Sequence, residues 1–412
     1  MVAVIGIYLS SYFRFDSTAA ISVVVDDGWC NPKVQGIGSH CFGDFYYTLG
    51  FVSLPNPWTG STFPYPPLAT FLFKPFLFIS TETPNTPWAL LLYLFLLAVA
   101  MTFVPYYISR TYRLNRRNSL LVFTFTISAT PFLVALDRGN VIILIAPLLY
   151  LFLMAEIEGD SRKSFLFWVI MVLIKPQLSI LGLLYFRNKQ MKRGMINLIL
   201  GFIAFLASFI LYPTNVIENI KSFFRQIISF QDYAEPGMLY PINVSLGNTL
   251  SLLYRFIFDS LPTGTILSLF SLILLFAISL KSYFAPSDPT LQTITLIVLA
   301  VILFPLVSFG YYLILLIPVI QVVISLHFKE SNLRKEIDSP NLSSEARNFL
   351  KNKWIRIFLL LCLLPIQIPL SLFVDVTSIS TNLAISFHWI LLQIGLIILT
   401  IYLLRFKRRV IN

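Results

Sequence analysis

Apolar residues run continuously along most of this chain, without the alternation of a half-buried strand or the single stripe of a soluble helix. A bilayer core of roughly 30 Å takes about 20 apolar residues in helical form. Runs of that order occur at Trp88 to Ile108, Ser119 to Leu136, Met195 to Tyr212, Thr263 to Leu280, Tyr311 to Phe328, Trp354 to Phe373 and Ala384 to Leu404. Shorter ones lie at Val141 to Ala155, Phe165 to Ile174, Leu178 to Phe186 and Thr290 to Phe304. This pattern predicts an all-α polytopic integral membrane protein, one helical bundle over residues 1–412 with about eleven or twelve membrane segments. The opening MVAVIGIYLSSYF is short for a span. It has neither a basic n-region nor a small-residue cleavage site, so it reads as a truncated or misassigned start rather than a cleavable signal.

Polar positions between the runs set the orientation. Lysine and arginine gather in RTYRLNRR (110–117), RNKQMKR (187–193), KESNLRKE with the following KNK (329–353), and the tail RFKRR (405–409). Such residues mark the cytoplasmic side, and all four loops share it when the short runs from 141 to 186 are hairpin arms. Both termini are then cytoplasmic, in a multi-pass protein of the cell (plasma) membrane. The outer face receives residues 15–87, residues 213–262 and two tight turns, DRGN (137–140) and KPQ (175–177).

Composition agrees with this class: 57% of residues are hydrophobic and 12% charged, with mean hydropathy +0.79. The net charge of +11 belongs to the basic loops and calls for no nucleic acid partner. No P-loop or dinucleotide fingerprint occurs, and His40, His327 and His388 lack the spacing of zinc ligands. Neither metal nor cofactor is expected. Cys30 and Cys41 lie close enough in an outer loop to pair there, and Cys362 sits in an apolar run.

Charge next to membrane depth is costly and points to function. In SATPFLVALDRGNVIILIAPLL, Gly139 supplies a turn between two apolar helices, and Asp137 and Arg138 either cap them, pair with each other, or face an outer vestibule. In FLFWVIMVLIKPQLSILGLLYF, Lys175 and Pro176 interrupt an apolar run of spanning length. Lys175 either snorkels from a kinked span or, if the run is two half-helices, reaches the vestibule beside Arg138. Acids collect in the outer loop as Asp26, Asp27 and Asp44. Asp44 precedes an aromatic run and is placed to cap a short helix.

These residues resemble a known pattern. Asp44-Phe45-Tyr46-Tyr47, Asn56-Pro57-Trp58, Phe63-Pro64-Tyr65-Pro66-Pro67-Leu68, Asp137-Arg138-Gly139-Asn140, Lys175-Pro176, Asn243-Val244-Ser245-Leu246 and Ser308-Phe309-Gly310-Tyr311-Tyr312 follow one another as in family 87 of the GT-C membrane glycosyltransferases. The resemblance implies a GT-C-like fold and transfer of a hexose, mannose foremost, from a polyprenyl-phosphate carrier to the hydroxyl of a glycan or glycolipid acceptor outside the cytoplasmic membrane. Asp44 is then the expected general base, and one direct displacement inverts the anomeric carbon. Arg138 and Lys175 are expected at the carrier phosphate, with Asn140, Tyr47, Tyr65 and Asn243 as further substrate-binding residues. The prolines of FPYPPLATFLFKPF return the chain to the bilayer, so Leu68 to Phe78 is expected as an interfacial helix walling the donor entrance, with Lys74 near head-group depth. The main rival is a transporter or flippase of a lipid-linked saccharide. Transporters hold polar groups near the midplane, whereas the acids here lie in outer loops. A non-catalytic relative that binds the carrier and scaffolds an envelope assembly is a third reading.

Overall fold

The computed structural model describes residues 42–59, 65–79, 87–111, 113–233, 245–247, 264–284, 291–304 and 310–322. Every regular element among the described residues is helical. Cys30, Cys41, His40, Asp26, Asp27, Asn243, the two C-terminal runs and the basic segments 329–353 and 405–409 lie outside them.

A helix α1 (Gly43–Val52) is followed by two short ones, α2 (Pro67–Phe71) and α3 (Lys74–Ile79). The expected single interfacial helix from Leu68 is thus broken at Leu72 and Phe73, and Pro75, which lacks an amide donor, falls in the first turn of α3, where none is needed. Then come α4 (Pro87–Thr111), α5 (Arg116–Ile127) and α6 (Thr130–Asp137). The run from Ser119 to Leu136 is therefore two helices, because Pro131 lacks an amide donor and occupies the first turn of α6, where none is needed. Asn115 caps α5 by accepting from the Asn118 amide at 2.8 Å.

Next, α7 (Ile142–Glu158) and α8 (Ser161–Ile174) form an antiparallel hairpin. Gly159, at φ 75°, closes α7, and Asp160 opens α8 by accepting from the Lys163 amide at 3.1 Å. Lys175 has extended backbone, after which a 3-10 segment runs from Pro176 to Lys189. It packs against α8 and against α9 (Met191–Ala207), α11 (Gly264–Tyr283) and α12 (Leu291–Leu303). Between α9 and α11, α10 (Val216–Tyr233) buries Asn219, Ser222, Phe223 and Gln226 on one edge. Along another edge it exposes Ile217, Phe224 and Ile228.

Two helical stretches, Trp88–Thr111 and Met191–Leu211, are long and apolar enough to cross a membrane, and shorter apolar helices accompany them. The core centres on α12, where every side chain from Ile294 to Leu303 is buried, and on Tyr311 to Val322 beside it. At the end of the α7–α8 hairpin that carries Gly159, Glu156 and Arg187 form a buried ion pair, and Ser164 donates to Glu156.

Candidate active site

The candidate site forms where three turns meet. Phe42, in left-handed conformation, starts α1, so that Phe45, Leu49 and Val52 recur at helical spacing on the buried face. Phe45 packs into an aromatic group with Phe73, Phe76 and Tyr93, the Tyr93 ring centroid lying 4.8 Å away. That packing fixes Asp44 against the second turn. The Asp44 amide donates to the Arg138 carbonyl at 3.0 Å, and its carboxylate accepts from Arg138 Nη2 at 3.1 Å, from Nε at 3.4 Å and from Asn140 Nδ2.

Asp44 does not cap α1, as its position before the aromatic run predicts, since the helix begins one residue earlier and the carboxylate turns to Arg138 instead. Arg138 likewise pairs with Asp44, the charge that the fold brings to it from 94 residues away.

Asn140 is fully buried and bridges the site. Its Nδ2 also donates to the Tyr65 hydroxyl at 2.9 Å, while its Oδ1 accepts from the Ile142 amide at 2.9 Å and so steadies the start of α7. Gly139 makes this turn possible. Its φ is +62°, and an added Cβ would lie 2.8 Å from the Cβ of Phe45. Tyr93 donates to its carbonyl at 3.1 Å.

Gly139→Ala is therefore expected to lower stability by about 1–3 kcal/mol and to spoil the Asp44–Arg138 register. Gly159→Ala, which also has positive φ but nothing within 4 Å of the added carbon, should cost only the backbone part, about 1 kcal/mol. Thermal unfolding of both variants in detergent checks the difference, and equal losses would remove the contact with Phe45 as a cause.

Lys175 comes from the third turn. It is 7% exposed, with Nζ 4.3 Å from the Tyr65 ring centroid and 5.7 Å from that of Tyr312. Arg138 stands over Tyr311, Cζ to centroid 5.9 Å, and Gln177 donates to the Tyr312 hydroxyl. Tyrosine faces thus flank both cations.

Tyr65 is anchored from behind. Its carbonyl accepts from the Trp58 indole at 2.8 Å, Trp58 is set by the Asn56 side chain, which accepts its amide at 3.0 Å, and Phe205, Phe209, Tyr212 and Phe223 enclose the indole.

Electrostatics follow from this geometry. Burial pushes the Asp44 carboxyl up, but the charge and hydrogen bonds of Arg138, the hydrogen bond of Asn140 and the charge of Lys175 outweigh it and hold the group below the usual carboxylate range. Burial pushes Lys175 down, Asp44 opposes that and Arg138 adds to it, leaving the ammonium at about 8. Side chains of Arg138 and Asp44 remain 16% and 17% exposed, so the pair is not sealed from solvent.

Of the sequence candidates, Asp44, Tyr65, Arg138, Asn140 and Lys175 come together. Tyr47 is 46% exposed, its ring against Phe51, and Lys74 reaches the Tyr212 ring at 4.2 Å instead of this site. Tyr93, Gln177, Tyr311 and Tyr312 join the site without having been assigned a role. A lone phenol in the apolar run LLLYLFLL was the available signal for Tyr93, since a buried hydroxyl needs a partner.

No curated protein and no solved structure matches the chain. The model of glycosyltransferase family 87 matches residues 63–309, more than half of the chain, taking in Tyr65, Arg138, Asn140 and Lys175 while Asp44 lies before it. With these turns inside the matched region, the chain belongs to glycosyltransferase family 87 and is a glycosyltransferase.

Proposed function

We propose that this glycosyltransferase moves a hexose, mannose foremost, from a polyprenyl-phosphate carrier to the hydroxyl of a glycan or glycolipid acceptor at the outer face of the cell membrane, which the chain crosses repeatedly. What carries the reading is the convergence of one accessible carboxylate with two cations among otherwise apolar helices. The carrier phosphate of such a donor is a diester with one negative charge. As the bond from the anomeric carbon to the phosphate oxygen breaks, the electron pair leaves with the phosphate, which becomes a monoester and gains charge. Lys175 and Arg138 stabilise that gain most in the transition state.

The acceptor hydroxyl attacks from the opposite side of the sugar, forming the new carbon–oxygen bond as its proton passes to Asp44. The result is inversion. Asp44 is ionised at neutral pH because Arg138 holds it so, which leaves it ready but weakly basic. Donor phosphate drawing Arg138 toward itself relieves that pairing and raises the proton affinity of the carboxylate at the moment a base is needed. Asn140, tied to both Asp44 and Tyr65, keeps the carboxylate aimed while the pairing loosens.

Incubation of the purified protein with a panel of polyprenyl-phosphate hexoses and acceptor glycolipids tests this reading. Consumption of one donor with release of polyprenyl phosphate and an inverted product is expected. Carriage of donor lipids across liposome bilayers with the sugar still attached, and no release to any acceptor, would replace transfer by lipid transport.

A further inference from the structure

A second set of cations lies at the far end of the Pro176–Lys189 segment from Lys175. A groove of about 500 Å³ opens there. Lys189, Lys192 and Arg193 line it, with the amides of Gln190 and Asn197 and the side chain of Ile196. The chain is turned sharply to make it: Asn188 and Lys189 both have left-handed backbone, at φ 54° and 60°. Arg187, the remaining cation of the run, is withdrawn into the bundle, where it pairs with Glu156 and donates to the Leu184 carbonyl at 3.1 Å.

That withdrawal uses up the nearby carboxylate. Among the described residues, Lys189, Lys192 and Arg193 form no salt bridge. Lys189 lies 5.7 Å from the Phe284 ring centroid, and Arg193 donates to Gln190 Oε1 at 3.2 Å. By contrast, Arg116 and Arg117 stand exposed on the first turn of α5.

The groove continues into an apolar strip. Along α9 the side chains of Ile196, Ile199 and Ile203 are exposed on one face, with Leu200 and Phe202 beside them, a strip about 10 Å long at 1.5 Å per residue. A ligand matched to the whole surface has an anionic head for the cations and hydrocarbon for the strip. A soluble phosphate would leave the strip unused.

We infer that this groove binds the head group of an anionic phospholipid in the leaflet on the side of the basic loops, with the acyl chains lying along Ile196, Ile199 and Ile203. The site is separate from the Asp44 vestibule and does not depend on the transfer reading.

Native mass spectrometry of the full chain, released from detergent after equilibration with equal amounts of dioleoylphosphatidylglycerol and dioleoylphosphatidylcholine, tests it. The parent should retain phosphatidylglycerol preferentially. Lys189→Gln with Lys192→Gln should reduce that retention by about tenfold or more, and Lys192→Gln alone by about fivefold. Arg116→Gln with Arg117→Gln removes the same charge from another basic loop and should leave it intact. Both lysines are exposed, and a monodisperse elution profile confirms that the variants fold. Equal retention of the two lipids, equal losses in the two double variants, or displacement of the lipid by millimolar inorganic phosphate would each overturn the inference.

Discussion

Asp44→Asn should preserve the fold and lower turnover by at least about 10²-fold, the usual share of general-base catalysis. The amide keeps the size of the carboxylate and can still accept from Arg138 or Asn140, so the turn at Gly139 retains its partner. What it loses is the capacity to take a proton. Donor affinity should hold or improve, because Arg138 is no longer shared with a negative charge. The effect is therefore expected in kcat, with KM for donor unchanged or lower. Steady-state transfer kinetics, with thermal unfolding as a check on folding, decide the matter. Turnover near that of the parent would relieve Asp44 of the role and direct attention to Asp26 or Asp27.

Lys175→Gln should depress the chemical step by about 10-fold to 10²-fold beyond any loss of donor affinity, since in the proposed reaction the cation faces a phosphate whose charge grows. Arg138→Gln should act in the same direction, with added loss of order around Asp44. The parent should also show an alkaline limb. Lys175 sits at about 8 in the free protein, so kcat/KM falls as pH rises through that value and the ammonium loses its proton. Bound phosphate holds the proton on, so the limb in kcat lies higher. In kcat/KM no acid limb from Asp44 is expected within the ordinary carboxylate range, because in the free protein its carboxyl is held below that range. In Lys175→Gln the limb near 8 disappears. Its persistence there, or unimpaired sugar release by both cation variants, would take these residues out of the phosphate site.

The charges that gather at the candidate site were legible because they are expensive. Arg138 and Lys175 interrupt apolar runs at turn residues, and that cost singles them out without any knowledge of their neighbours. Their partners were not legible in the same way. Whether Arg138 meets Asp137 or Asp44 depends on which face of α1 packs against the turn, and Phe45 decides that through contacts with Phe73, Phe76 and Tyr93 that exist only after folding. Gln177 and Tyr312 meet across 135 residues for the same reason.

Helix existence was clearer than helix continuity. The apolar run through Ser128 gives no sign of a break except Pro131, and the extended run from Leu68 none except Pro75. Within residues 213–262 a signal was available. The segment VIENIKSFFRQIISFQDY repeats apolar positions at helical spacing, yet its charges and its place between longer apolar runs make it read as a loop.

The long-range pairing at the site has a consequence for how the protein is made. Chains emerge from the ribosome N-terminus first, and Asp44 precedes its partner by 94 residues. Two further turns, at Lys175 and at Tyr311 and Tyr312, must be synthesised before the cations meet the rings that hold them. A nascent chain arrested before Gly310 can present the carboxylate and both cations but lacks the tyrosine pair and Gln177's partner. Completion of the candidate site thus waits on synthesis through residue 312 of 412, and any shorter fragment would leave its cations only partly held.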